Sequence, residues 1–215
     1  NPDEETTGPL SYMGQSWSKP TIGFVNWAGK RTRVMFVGGG YDDGYESTSY
    51  DQTNKKGAGV YMFSAEDTSI QDGNNTIAIK AGELLWWSSA NATTSIASTK
   101  SGTVGINSPN MQYSVVSEIR SVDRDGDDLI DHVYFGDLGG QIFRTDFNNK
   151  EKTIGSWAKA PILIFDEHKA NGKSPRFYDM PAFSLYSDNG SIFAVVSQGS
   201  GNRSTPLFAD SSYDY

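Results

Sequence analysis

The chain has 215 residues, no cysteine and a formal net charge of −8, with 23 glycines and 13% aromatic residues. The acidic balance excludes a nucleic-acid surface built on clustered basic residues. The missing thiols exclude disulfides, thiol nucleophiles and zinc–thiolate centres, and no apolar stretch is long enough to span a bilayer as a helix.

A chain of this length buries a core without cross-links. Its short apolar runs, separated by Gly, Ser, Thr and Asn, indicate an all-β fold with many turns. The polar start Asn1-Pro-Asp-Glu-Glu carries no initiator Met and no signal peptide. It reads as a cut piece or mature fragment of something longer.

Taken in chain order, strands are expected at 21–27, 33–37, 59–64 and 84–88, then at 113–122, 131–136, 141–146, 161–165, 182–186 and 191–197. The stretches 47–56 and 90–108 are polar and read as loops, the second as a mobile Ser/Thr-rich excursion. A weak repeat runs through the strands. Arg33-Val-Met-Phe-Val-Gly-Gly-Gly, Asp131-His-Val-Tyr-Phe-Gly-Asp-Leu-Gly-Gly and Ser191-Ile-Phe-Ala-Val-Val-Ser-Gln-Gly-Ser-Gly each take a β-branched and aromatic run into a Gly-rich turn. Radially repeated four-stranded units give such a pattern; a β-sandwich with unrelated Gly turns is the plainer alternative. At about 40–50 residues per blade, the chain corresponds to four to five blades. The expectation is therefore a partial β-propeller with quinoprotein-like blades, residues 1–215 forming part of one propeller domain.

The chemistry concentrates in Asp123-Arg-Asp-Gly-Asp-Asp-Leu-Ile-Asp131. Carboxylates occupy positions 1, 3, 5 and 9 of this loop (Asp123, Asp125, Asp127 and Asp131). Alternate residues of a tight loop aim toward one centre, and calcium takes six to eight oxygens at about 2.3–2.6 Å. Leu129 at position 7 offers its carbonyl, and Asp131 can close the shell with both oxygens. Gly126 lets the chain turn. Five Asp against one Arg leave the nine residues at a net −4, and the four converging carboxylates repel one another, so a divalent cation is expected to order the loop. Magnesium suits it less, because it demands near-ideal octahedral geometry. An EF-hand is excluded: position 6 is Asp128, position 12 is Tyr134, and the flanks read as strands. A solvated acidic turn is the plain alternative, and a catalytic carboxylate pair lacks any apolar setting for a raised acid.

Other features take ordinary roles. Gly38-Gly-Gly40 has no Gly-Lys-Ser/Thr after it and reads as a tight turn. His132 and His168 lack metal-ligand spacing; His132 is expected at a surface or interface. Trp86 and Trp87 are expected to pack between blades more than to form a ligand platform. Arg144 and Asp146 share a strand face and are expected to pair. No nucleophile motif appears, so the chain is not expected to be an enzyme.

The D-x-D-x-D-x-x-x-D spacing, followed by Val133-Tyr-Phe-Gly-Asp-Leu-Gly-Gly-Gln-Ile-Phe-Arg-Thr-Asp-Phe147, resembles the C-terminal propeller of the PilY family. These are type IV pilus biogenesis proteins and tip adhesins of Gram-negative bacteria. Leu10-Ser-Tyr-Met-Gly-Gln-Ser-Trp-Ser-Lys-Pro20, Val34-Met-Phe-Val-Gly-Gly-Gly-Tyr41, Val60-Tyr-Met-Phe63 and Ser197-Gln-Gly-Ser-Gly-Asn-Arg203 are similar to further family segments, in the expected order. In the third, Ser64 stands where the family commonly has Asp. The resemblance implies a fragment of a seven-bladed propeller whose calcium loop tunes pilus extension against retraction, with twitching motility and surface attachment as outputs. It implies Asp123, Asp125, Asp127, the Leu129 carbonyl and Asp131 as calcium ligands. Pilin or minor pilins, and a host or surface ligand, are the implied partners, at the pilus tip or cell surface outside the cytoplasm. The alternatives are an integrin-type FG-GAP propeller with structural calcium, which Asp128 in place of Gly and the single acidic loop disfavour, and a quinoprotein-like enzyme fragment.

Overall fold

The computed structural model describes residues 6–94 and 102–206. Strands dominate: β1 (Thr21–Trp27), β2 (Lys30–Gly38), β3 (Val60–Ser64), β4 (Thr68–Asp72), β5 (Asn75–Ile79), β6 (Leu84–Ser89), β7 (Val104–Asn107), β8 (Arg120–Val122), β9 (His132–Gly136), β10 (Gln141–Asp146), β11 (Ile162–Asp166), β12 (Ala182–Asp188) and β13 (Ser191–Ser197). The one α-helical element among the described residues, α1 (Ile154–Trp157), is a single turn.

Two sheets are blade-like meanders. The first runs β1-β2-β3-β6, with β7 added on its edge; the second runs β11-β10-β9-β8. The neighbours are antiparallel except β6 and β7, which run parallel. The β4–β5 hairpin is an excursion between the third and fourth strands of the first meander. The β12–β13 hairpin pairs only with itself among the described residues. The fold is thus all-β and propeller-like, and its sheets do not close into a ring among the described residues.

Alternation along the strands builds the main core between the two meanders. Val25 and Trp27 of β1, Val34 and Phe36 of β2 and Val60 and Met62 of β3 meet Val133 and Phe135 of β9 and Phe143 of β10 in one buried cluster. Phe147 joins the layers: it stacks on Trp157 at 4.4 Å, and lies 5.5 Å from Phe36 and 5.6 Å from Trp86. Trp157 in turn meets Trp27 edge-on at 5.1 Å. Such ring pairs add about 0.5–1.5 kcal/mol each beyond the area they bury. The opposite face of the first meander buries Tyr61 and Trp87 under Leu10 and Met13. Both Trp86 and Trp87 are therefore packing residues, as their apolar setting required.

The described residues form a five-stranded sheet, a four-stranded sheet and two two-stranded hairpins, and three expectations about single elements change. The stretch 113–122 pairs as a strand only over Arg120–Val122. Its earlier backbone groups bond elsewhere: Val115 N donates to the Gly57 carbonyl (3.0 Å), the Val115 carbonyl accepts from Gly40 N (3.0 Å), and the Ser114 carbonyl accepts from Leu138 N (2.9 Å). The expected loop 90–108 contains β7, which continues the sheet beyond β6; residues 95–101 of that loop lie outside the described residues. The β4–β5 hairpin was not expected, since it buries only Ile70 and Ile79 fully and leaves its other positions polar or half-exposed.

Gly38-Gly-Gly40 is a crossing of backbones rather than a free turn. A Cβ at Gly39 would meet the Gly57 carbonyl, and Gly40 has φ 105. Gly39 N donates to the Gly59 carbonyl and the Gly39 carbonyl accepts from Gly14 N, each at 2.8 Å, so the triplet joins the N-terminal segment to the first sheet.

Candidate metal centre

The acidic loop connects β8 to β9, the edge and second strands of the second meander. Its two ends are fixed by strand pairing: Asp131 N donates to the Val122 carbonyl at 3.0 Å, and the Asp131 carbonyl accepts from Phe147 N at 2.8 Å. Between these anchors the chain makes two left-handed steps, at Gly126 (φ 80) and Asp128 (φ 64). Asp128 occupies the position where the FG-GAP motif has Gly, and it takes a backbone conformation that glycine favours. Asp is among the few side chains that tolerate it.

The loop wraps around its first carboxylate. Asp123 Oδ1 accepts from Gly126 N (2.7 Å) and Oδ2 from Asp128 N (2.9 Å). The Gly126 N–H, joined by neighbouring loop amides and opposed by slight desolvation, holds the Asp123 carboxyl below its ordinary range. Asp131 is 8% exposed. Its Oδ2 accepts from Arg124 N at 2.9 Å and its Oδ1 from Asn149 Nδ2 at 3.4 Å. Asp125 makes no hydrogen bond or ion pair through its carboxylate among the described residues.

Asp123, Asp125 and Asp131 each bring a carboxylate oxygen to within 4.8 Å of the others. Oxygens on opposite sides of one calcium ion stand about 4.6–5.2 Å apart, twice the ion–oxygen distance, so the cluster has the right size for a single ion. Asp127 is not in this group; its Oδ1 accepts from Leu129 N at 2.9 Å. The Leu129 carbonyl accepts no hydrogen bond among the described residues, which leaves its lone pairs free. The donor set is all oxygen, hard and anionic, and suits calcium better than a softer metal.

Three partners were not visible in the sequence. Ile130 N donates to the Phe24 carbonyl at 2.8 Å, tying the loop to β1. Arg31, in the β1–β2 hairpin, approaches Asp128 at 3.8 Å, an exposed pair of small energetic weight. Asn149 links both sheets to the site. Its Nδ2 donates to the Ile130 carbonyl at 3.0 Å, its Oδ1 accepts from Asn26 N at 3.0 Å, and its carbonyl accepts from Asn26 Nδ2 at 2.6 Å. Nothing at short sequence range marks these residues. An Asn following Asn148 in a polar stretch looks like an ordinary turn.

The remaining candidates sit apart from this centre. His132 Nδ1 is 2.7 Å from Asp146 Oδ1, and Arg144 Nη2 donates to Asp146 Oδ2 at 3.0 Å, so the expected Arg144–Asp146 pair gains a histidine. His168 stacks on Tyr113 with ring centres 4.5 Å apart and bonds its hydroxyl at 2.9 Å.

No protein-family model matches the sequence, and no curated protein matches it. Among solved structures, the crystal structure of the Pseudomonas aeruginosa PilY1 C-terminal domain is similar, with a TM-score of 0.52 at 14% identity. The likeness covers 93% of this chain and 36% of that one, so the chain spans little more than a third of the neighbour's length. It establishes a shared fold. No helix among the described residues is long and apolar enough to cross a membrane.

Proposed function

We propose that the chain is the calcium-binding propeller region of a type IV pilus tip adhesin or biogenesis factor, and that it acts by binding rather than by catalysis. The observation that carries this reading is the convergence of Asp123, Asp125 and Asp131 in a loop anchored to both sheets. The likeness to the PilY1 C-terminal domain supports the pilus context through the fold. Asp127 and the Leu129 carbonyl, in the same loop, would complete the ligand set around a bound ion.

The ion supplies positive charge where three carboxylates face one another. The chain supplies the rest. Loop amides fix Asp123, Arg124 N fixes Asp131, and Asn149 and Phe24 transmit the loop's order to β1 and the first meander. Calcium binding thereby stiffens the junction between two blades, and with it a surface that meets pilin, minor pilins or a surface ligand outside the cytoplasm. Extension against retraction of the pilus, twitching and attachment are the outputs of that surface.

Calorimetric titration of chelator-stripped protein tests the reading. One calcium per chain is expected, with magnesium much weaker. Asp125→Asn alters a carboxylate that makes no hydrogen bond among the described residues, so it should abolish binding while circular dichroism stays unchanged. Calcium binding that survives both Asp125→Asn and Asp131→Asn would refute the site.

A further inference from the structure

Between the β12–β13 hairpin and the neighbouring face of the second meander lies an open groove of about 460 Å³. That volume falls within the range of small-ligand sites, about 300–1,000 Å³. Register explains its walls. Arg120 lies opposite Tyr134 and Val122 opposite His132, so these four share one sheet face. From the hairpin come Phe183, Leu185 and Ala194, again on a single face. The Tyr134 and Phe183 rings meet at 5.3 Å and join the two walls. Elsewhere the walls stand apart, and Leu185 is 64% exposed.

The polar groups of the groove are unevenly satisfied. His132, which lines the groove, and Arg144 behind it both pair with Asp146. Asp123 lines the groove, but backbone N–H groups already engage both its oxygens. Arg120 differs: it makes no ion pair among the described residues, and its Nε is buried without an acceptor. Buried donors without a partner are rare. Arg124, at the mouth, also lacks an acidic partner among the described residues. In a chain of net charge −8, the uncommitted groups here are cations beside apolar side chains.

We infer that this groove binds a small organic carboxylate with an aromatic or aliphatic body. The guanidinium of Arg120 takes the carboxylate in the two-point fashion that its planar fork favours. The body lies against Val122, Phe183 and Leu185. The metal is not required, and the test is made without it.

4-Phenylbutyrate is titrated into chelator-treated protein and followed by amide NMR, with 4-phenylbutyramide as the neutral counterpart and an acetylated tripeptide ending in Phe run in parallel. Saturable shifts are expected around residues 120–124, 132–134 and 183–185. Affinity is expected to fall at least about ten-fold for the amide and for Arg120→Gln, with partial rescue by Arg120→Lys, as loss of a charge-assisted pair requires. Leu185→Asp, at an exposed position that folding tolerates, should weaken binding too, and serves if Arg120→Gln does not fold. Absent or scattered shifts, equal binding of acid and amide, or binding of the tripeptide alone would overturn the assignment. The calcium titration is unaffected by either result, so the two readings fail separately.

Discussion

Asp131 and Asp137 lie on either side of β9 and meet opposite surroundings. Asp131 faces other carboxylates at the edge of the fold. Asp137 is fully buried in the β9–β10 turn, where its Oδ1 accepts from Gly139 N and Gln141 N, each at 2.9 Å. Burial pushes its carboxyl up to about 8 despite those amides, and its Oδ2 has no partner. The folded chain therefore keeps a proton that the unfolded chain releases near the ordinary carboxylate value of about 3.9. Stability from this group is full below that value, declines as pH rises toward 8, and then levels off. The slope reaches about 1.4 kcal/mol per pH unit for one proton. Asp137→Asn keeps an oxygen for the two amides and cannot ionise. Urea unfolding from pH 5 to 8 should show the parent losing stability and the variant losing less; equal slopes would contradict the account. Sequence reading singled out the acidic loop by its spacing and passed over Asp137. A single Asp in a Gly-rich turn looks solvated until the connectors at 113–119 and 175–178 are seen to cover it.

Strands with one buried face were legible as elements. β1, β9, β10 and β13 fall where alternation and Gly turns place them, and the Asn189-Gly190 turn, with φ 47 and 82, matches the tight hairpin geometry of the flanking strands. Elements that bury little escaped notice, as β4 and β5 did. So did the failure of 113–119 to pair, because apolar content says that a segment is buried and not which partner takes its amides. The β12–β13 hairpin is the weakest element. It pairs with no third strand among the described residues, and Tyr186, Ile192 and Phe193 remain exposed, Ile192 at 76%. Two-stranded ribbons are marginal alone, and the Tyr186–Phe193 stack at 5.8 Å adds only a modest term. Amides of β12 and β13 are expected to exchange with solvent at least about a hundred-fold faster than those of β9 and β10. Comparable protection in the two pairs would show a firmer attachment than these contacts supply.

For the molecule as a whole, the acidic loop is a junction: it leaves β8, touches β1 through Ile130 and is tied back through Asn149. If calcium binds only the folded chain, a concentration one hundred times Kd adds about 2.7 kcal/mol. For a domain of this size that raises Tm by roughly 5–10 °C over chelator-treated protein. A much smaller rise with intact binding in calorimetry would mean that the loop melts separately from the sheets.

The sequence by itself determined the β class, most strands and the acidic loop, because alternation, turn residues and carboxylate spacing act over a few residues. Tertiary structure alone decided which three carboxylates converge, that Asn149 and Phe24 hold their loop, how the strands are ordered into sheets, and where Arg120 is left without an acceptor. Those outcomes depend on backbone and side-chain groups far apart in the chain competing for the same partners, and local pattern carries no record of that competition.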